Sequence, residues 1–406
     1  MTEDIRALGR HSVLNIAVGD AKSGLRRVSV SITQGNRTQV ISDRHYNAKT
    51  QHRDTLLLPI DSTALKLQDG PALLTIAATD QSLWSNTSSV SKTMDAEIVP
   101  PQIFLLTPTN YVSPGGTGMI LYRTSKPVHT TGVFVDDIPF AAYPTTLSGK
   151  ACYIVFFAMP IDNGSDRGRI RIVARDAGGN EATAVVPRLV LKKKFRNDKM
   201  ALSDHFLQQK MPEFIAQNPA LRDKTPIDIF VYVNSELRGK NNRTIEEIAR
   251  KSGAKQLWQD TFLRMKDASP MAQFGDRRLW LYRGRPIGES VHMGVDLAST
   301  AKAPIEAANT GIIAFTGALG IYGNTVIIDH GQGLQTLYAH LSDIQVQNGQ
   351  SIKRGEVIGH SGLSGLAGGD HLHFSMVVGG KFVNPTEWWD AHWIADNVTK
   401  KIPASF

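Results

Sequence analysis

Strand-length runs of apolar residues, broken by polar turns, dominate the first half of the chain. Val28, Val30 and Ile32 alternate with Ser29 and Ser31, and Leu56-Leu57-Leu58 and Leu73-Leu74-Thr75-Ile76-Ala77-Ala78 follow after turn-rich intervals. Period-two alternation puts one set of side chains on one face of an extended chain, so these runs predict β-strands. Thr79-Asp80 closes the last of them and begins a turn toward Trp84. After Pro100-Pro101 the pattern repeats, with apolar runs at 103–106, 119–122 and 152–159 separated by turns such as Pro114-Gly115-Gly116. Ile170, Ile172 and Ala174 then alternate up to the turn Asp176-Ala177-Gly178-Gly179-Asn180, and Ala184-Val185-Val186 resumes the strand signal. The spacing predicts two β-sandwich modules in series, over residues 1–99 and 100–194.

The strand that ends in Asp176-Ala177-Gly178-Gly179-Asn180, echoed more weakly between Thr79 and Asn86, resembles the immunoglobulin-like domains of bacterial surface and envelope proteins. That resemblance implies modules that space or recruit and does not fix an activity. After Lys192 the character changes. The segment 204–211 reads as a helix, and Thr244 with Glu247 three residues on has the form of an N-cap and capping box. These signals predict a partly helical connector over 195–261, in which His205 is a structural or solvated histidine. From about Pro270 short β signals return at 279–282, 311–315, 325–328 and 371–378, separated by glycine-rich turns. No long amphipathic helices alternate with them, which argues against a doubly wound fold and for a compact antiparallel β domain over 262–406. The predicted fold class is therefore mainly β and multidomain.

Composition changes this picture little. Of 406 residues, 41% are hydrophobic and 20% charged, which suits a folded protein with substantial cores. The net charge of +8 is a mild excess for this length; it lets the surface meet an anionic polymer, while the lack of zinc-finger cysteines or a basic zipper argues against a nucleic-acid partner. Cys152 is the single cysteine, so no internal disulfide exists, and its apolar run predicts an inert core thiol. No apolar run approaches the roughly 20 residues that cross a bilayer. Met1-Thr2-Glu3-Asp4 lacks a basic n-region followed by an apolar stretch. Either the protein is cytoplasmic, or an export signal or membrane anchor lies upstream of residue 1.

Chemistry concentrates near the C-terminal end. His292 and Asp296 are four apart and share a face of a helix or a strand; His371 and His373 are two apart and share a face only of a strand. Together they bring imidazoles and a carboxylate that suit one divalent metal, with a further imidazole beside it. A helical H-E-x-x-H pair is absent, so such a site is assembled from strands and loops. His340, in Tyr338-Ala339-His340-Leu341, follows a strand and a turn that can return it across the sheet; His330, His360 and His392 adjoin turns or aromatic surface and read as structural. Gly362, Gly365, Gly368 and Gly369 precede His371 in a loop that lacks the phosphate-loop pattern, where positive φ or close approach of a peptide would exclude side chains.

The segment from about Phe274 to Trp388 resembles the lysostaphin-like, LytM-type family of zinc endopeptidases. The matching features, in order, are His292-x-Gly294-x-Asp296, Gly311-x-Ile313, Tyr322-Gly323-Asn324-x-Val326-x-Ile328-x-His330-Gly331, Tyr338-Ala339-His340-Leu341, Gly349-Gln350-x-Ile352-x-x-Gly355, Ile358-Gly359-x-Ser361-Gly362, His371-Leu372-His373-Phe374 and Asn384-Pro385. The resemblance implies His292, Asp296 and His373 as ligands of a Zn2+ ion, with His340 and His371 jointly serving catalysis. It implies hydrolysis of peptidoglycan stem-peptide cross-links, with a D,D-endopeptidase preference, in the periplasm or on the outer face of the cell envelope. That location favours the missing signal or anchor. Asp370 and Ser375 depart from the family pattern, and neither replaces a ligand. Two alternatives accompany this reading: a non-catalytic envelope scaffold or activator of another wall hydrolase, binding an envelope partner through its N-terminal modules, and an enzyme autoinhibited by its connector or sandwich.

Overall fold

The computed structural model describes residues 7–47, 50–162 and 168–402, so the chain start Met1-Thr2-Glu3-Asp4 lies outside the described residues. Among the described residues the architecture is mainly β, with α-helices confined to a connector and to the C-terminal end. The chain forms two compact units, one of residues 1–104, 124–131 and 172–184, the other of 105–123, 132–171 and 185–406.

In the first unit a five-stranded sheet runs in the order Ala7–Leu8, Thr87–Ala96, Gly70–Asp80, Leu25–Gln34, Arg37–His45, and a hairpin-like pair joins His11–Gly19 to Arg53–Asp61. The alternation read from sequence decides which side chains turn inward. Val28, Val30 and Ile32 are buried, Leu56 and Leu58 flank an exposed Leu57, and Leu74 is buried beside an exposed Leu73. Leu14, Ile16, Val30, Leu56, Leu74 and Met94 belong to one hydrophobic core drawn from both the five-stranded sheet and the pair. Asp80 accepts hydrogen bonds from the backbone of Ser82 and Asn86, which folds the expected turn and leaves Trp84 exposed.

In the second unit Thr117–Thr124 pairs antiparallel with Lys150–Ala158, which also pairs with Tyr143–Leu147, and the segment 132–135 pairs with Ile138–Ala141. Cys152 is buried in the strand Lys150–Ala158, and burial pushes its thiol pKa up, the expected inert core position. The connector is more helical than its sequence signals indicate. Helix Asp204–Gln217 starts at Ser203, whose side chain accepts from the Phe206 amide; Pro226–Tyr232 follows, then a π-turn Val233–Leu237 running straight into helix Arg238–Ala249. The expected start at Thr244 is thus wrong: Thr244 lies mid-helix, with its hydroxyl donating to the Lys240 carbonyl at 3.3 Å. A helix continued from a π-turn has no orphan amides that need a capping side chain.

A large antiparallel sheet forms the C-terminal region, in the order Ser269–Ala272, Val295–Ala298, Leu372–Val378, Leu334–Leu341, Asn324–Asp329, Gly311–Ala318, Ser351–Ile352. Every residue of Leu334–Leu341 and of Leu372–Val378 is buried, because both faces of these central strands are covered. The connector supplies part of that cover. Its strand Asn197–Leu202 pairs parallel with Arg277–Tyr282, and Leu207, Met211, Phe214, Phe230 and Ile245 share a core with Ile321, Tyr322, Ile327, Leu337 and Val377. Phe230 meets Trp280 edge-on with ring centroids 5.1 Å apart.

Candidate metal centre

Strand register brings the distant motifs together. Asp296 lies opposite His373 on antiparallel neighbours, and His373 lies opposite Ala339 on the next strand. His292 sits just past strand Arg285–Val291, where its ring reaches back toward Asp296. His340 needs a departure from regular geometry, since it follows Ala339 and alternation would send its ring to the other face. The register shifts where residues 338–341 pair with 324–326, and His340 has φ of +64°. This bulge with a left-handed residue turns the imidazole toward His371 and His373, whose ring centroids lie 4.9 and 5.8 Å away.

The hydrogen bonds fix where each ring carries its proton. His292 Nδ1 donates to the Gln273 carbonyl at 2.9 Å, leaving Nε2 as a lone-pair donor. Ser375 gives its hydroxyl proton to the Met293 carbonyl, so its oxygen accepts from His373 Nε2 at 2.9 Å, leaving His373 Nδ1 bare. These two bare nitrogens lie 3.0 Å apart, and each is 2.9 Å from Asp296 Oδ1. Electron pairs of three acceptors thus converge with no proton among them. A cation relieves that arrangement, and two neutral imidazoles with one carboxylate suit a catalytic zinc that keeps an open position. Among the described residues, His292, Asp296 and His373 form the one cluster whose ligand atoms all lie within 4.8 Å of one another.

Electrostatics follow the same geometry. Burial alone would raise the Asp296 carboxyl, but His292, His371 and His373 hold it well below the ordinary carboxylate range. Burial lowers His373 to about 4 and takes His340 well below its usual value, with His371 and His373 adding to the latter effect. His371 behaves oppositely: burial would lower it, but Asp296, 3.5 Å from its Nε2, and the Gly369 carbonyl raise it. His340 Nδ1 donates to the Ser364 carbonyl at 2.8 Å and His371 Nδ1 to the Gly369 carbonyl at 2.8 Å, so both have Nε2 available. All five residues border one cavity of about 530 Å3.

Other expected features resolve individually. A side-chain carbon at Gly362 would lie 2.6 Å from the Ser342 amide, and Gly365 has φ of +68°, so both positions require glycine; Gly368 and Gly369 stand in open space at ordinary φ. His330 is structural, with Nδ1 2.8 Å from the Thr310 carbonyl and Nε2 2.8 Å from the Thr336 hydroxyl. Sequence reading missed Arg278, whose Nη2 lies 3.4 Å from Asp296 Oδ2, and Arg238, which borders the cavity from the connector. Arg278 had a signal: it is two residues before Trp280 in a strand, hence on the same face. Arg238 had none, because it reaches the cavity through tertiary folding of a polar helix start.

Comparison with known proteins agrees with this geometry. Residues 290–385 match the sequence profile described as Peptidase family M23. The chain is similar to the DD-carboxypeptidase/endopeptidase Mpg of Neisseria meningitidis serogroup B, at 42% identity over 26% of this chain and 24% of that protein. It is also similar to the peptidoglycan DD-endopeptidase ShyA of Vibrio cholerae, at 37% identity over 28% of this chain and 26% of that protein. The catalytic domain of lysostaphin from Staphylococcus simulans is 27% identical, with 30% of this chain and 92% of that chain covered at a TM-score of 0.26. The chain spans about a quarter of the length of the two curated relatives. The matched segment contains His292, Asp296, His340, His371 and His373, so the likeness to peptidase family M23 falls on the residues that build this site.

Proposed function

We propose that this chain is a zinc-dependent endopeptidase that hydrolyses peptide cross-links of bacterial peptidoglycan, with a D,D-endopeptidase preference. The observation that carries the reading is the convergence of three unprotonated donor atoms, His292 Nε2, His373 Nδ1 and Asp296 Oδ1, at the edge of an open cavity. Bound by them, zinc supplies Lewis acidity, polarising a carbonyl and lowering the pKa of water toward about 7.

The remaining chemistry belongs to the chain. His340 and His371 each have Nε2 available beside the cavity, so together they move the proton of the attacking water and stabilise the developing oxyanion. One of them then delivers a proton to the departing amine. Tyr322 packs 5.7 Å from the His373 ring and limits its freedom to turn. Both relatives' names refer to DD-peptidase activity, which supports the substrate class. A wall substrate places the work outside the cytoplasmic membrane. Among the described residues, no helix is long and apolar enough to cross a membrane.

The test is mass spectrometry of products from purified cross-linked muropeptides incubated with the zinc-loaded full chain. The reading expects cross-linked dimers to fall to monomers, and expects His292→Ala to abolish this. Intact dimers after incubation with chain carrying one zinc per molecule would refute it.

A further inference from the structure

The cavity that holds the histidines also holds cationic charge that the proposed chemistry leaves unused. Arg238 and Arg278 both border it. Arg278 has one carboxylate within salt-bridge distance, Asp296 at 3.4 Å, and that carboxylate is already engaged by three histidines. Arg238 has none among the described residues. Its Nε and Nη2 donate to the backbone and side-chain oxygens of Asn234 at 3.1 and 3.0 Å, and its Nη1 has no partner there. The third guanidinium of the cavity, Arg196, is already paired with Asp198 at 2.8 Å and Asp276 at 3.1 Å.

Arg238 is held in place rather than free. Asn234, buried in the π-turn Val233–Leu237, donates to the Glu289 carbonyl at 3.2 Å and grips one side of the guanidinium. Such π-turns recur where a helix must present a particular side chain to a site. Burial depresses the arginine's pKa; the nearby Tyr322 opposes that effect and the like charge of Arg278 adds to it. Two guanidiniums that share a partly dry cleft repel, and an incoming carboxylate removes the repulsion while accepting charge-assisted hydrogen bonds from both.

We infer that Arg238 and Arg278 form an anion-binding pair that seats a free carboxylate of the substrate peptide close to the scissile amide. This rests on the proposed peptidase reading for the identity of the ligand. The pair selects peptides with an ionised carboxylate beside the cross-link over those in which it is amidated. Arg238 lies outside the matched segment 290–385, so the connector contributes to specificity.

The test uses the full chain, with and without zinc, and two synthetic cross-link peptides. One has a free α-carboxylate on the amine side of the scissile amide, and its twin has a carboxamide there. Calorimetric titration is expected to give about tenfold tighter binding of the carboxylate peptide. Arg238→Ala should bring that ratio to about one, and Arg285→Gln, an exposed control, should leave it in place. Should circular dichroism find Arg238→Ala unfolded, Arg238→Lys replaces it, with a loss of about threefold or more in the ratio expected, since the ammonium lacks the planar fork. Equal affinity of the two peptides for the wild-type chain, or an undiminished ratio in the folded Arg238 variant, overturns the pair. Cleavage of both peptides without preference also overturns it and leaves the peptidase reading intact. Preferential binding with no cleavage of either peptide by the zinc-loaded chain sinks the peptidase reading and leaves the pair standing.

Discussion

Ser375 Oγ lies 2.9 Å from His373 Nε2 and passes its own proton to the Met293 carbonyl, so the serine forces His373 to offer its other nitrogen to Asp296 and His292. Ser375 therefore sets the tautomer of a proposed zinc ligand.

Ser375→Ala removes that acceptor and leaves the ring free to turn. Zinc affinity is expected to fall by about 10- to 100-fold, the usual cost of losing a partner that orients a ligand. Competition with a chromophoric chelator measures it, and an unchanged dissociation constant would mean that packing against Tyr322 alone orients the ring.

Gly294 explains the spacing of the His292-x-Gly294-x-Asp296 motif. A side-chain carbon there would lie 2.5 Å from the Phe374 carbonyl oxygen, 2.7 Å from His373 Nε2 and 2.7 Å from Ser375 Oγ. Gly294→Ala must push the strand Leu372–Val378 away or turn the histidine. We expect a stability loss of about 2 kcal/mol or more, together with loss of stoichiometric zinc, read by thermal unfolding and metal analysis.

The legibility of this chain divides along the range of the interactions. Strand faces were readable because burial of Val28, Val30 and Ile32 follows directly from period-two alternation. His371 and His373 were read as sharing one strand; His373 lies in strand Leu372–Val378 and His371 just before it, in an isolated bridge to Gly362, and a ring nitrogen of each approaches Asp296. The bulge that re-aims His340 was not legible, since its register shift depends on the neighbouring strand 324–329. Nor was the role of the connector. Asn234 and Arg238 have no periodic signal, and their placement follows from a π-turn packed under Glu289. The helix start at Arg238 was missed for a related reason: local capping chemistry at Thr244 pointed to a boundary that the continuous backbone overrides.

Glu387 gives the fold a pH dependence. Burial raises its carboxyl from 4.5 to about 7, although the Thr117 amide, 2.8 Å away, and Lys193 oppose the rise. The folded state keeps this proton where the unfolded chain has released it, so stability declines as pH rises from about 4.5 to about 7 and then levels off. The span is worth about 3 to 4 kcal/mol at roughly 1.4 kcal/mol per unit. Glu387→Gln keeps an acceptor for Thr117 and should flatten this part of the profile, leaving the variant more stable than wild type at pH 8. Denaturant unfolding at a series of pH values decides it; identical slopes in the two proteins would show that the buried carboxyl is ionised throughout.

Truncation tests whether the connector is a removable cover or a structural part of the C-terminal region. Leu202, Leu207, Met211, Phe214, Phe230 and Ile245 are buried in the same core as Ile321, Tyr322 and Ile327, and Asn241 accepts the Ile321 amide at 3.0 Å. Lys210 also donates to the Leu363 carbonyl, and Glu213 accepts the Gly365 amide at 2.7 Å, so helix Asp204–Gln217 holds the loop that precedes His371. At about 1.5 to 3 kcal/mol for each large apolar side chain, loss of these contacts is comparable to the whole stability of a typical domain. A fragment of residues 262–406 is therefore expected to aggregate or to lack a cooperative thermal transition, whereas a fragment that begins at 195 retains this core. A fragment 262–406 that melts cooperatively and cleaves cross-linked muropeptides faster than the full chain would instead identify the connector as an inhibitory cover.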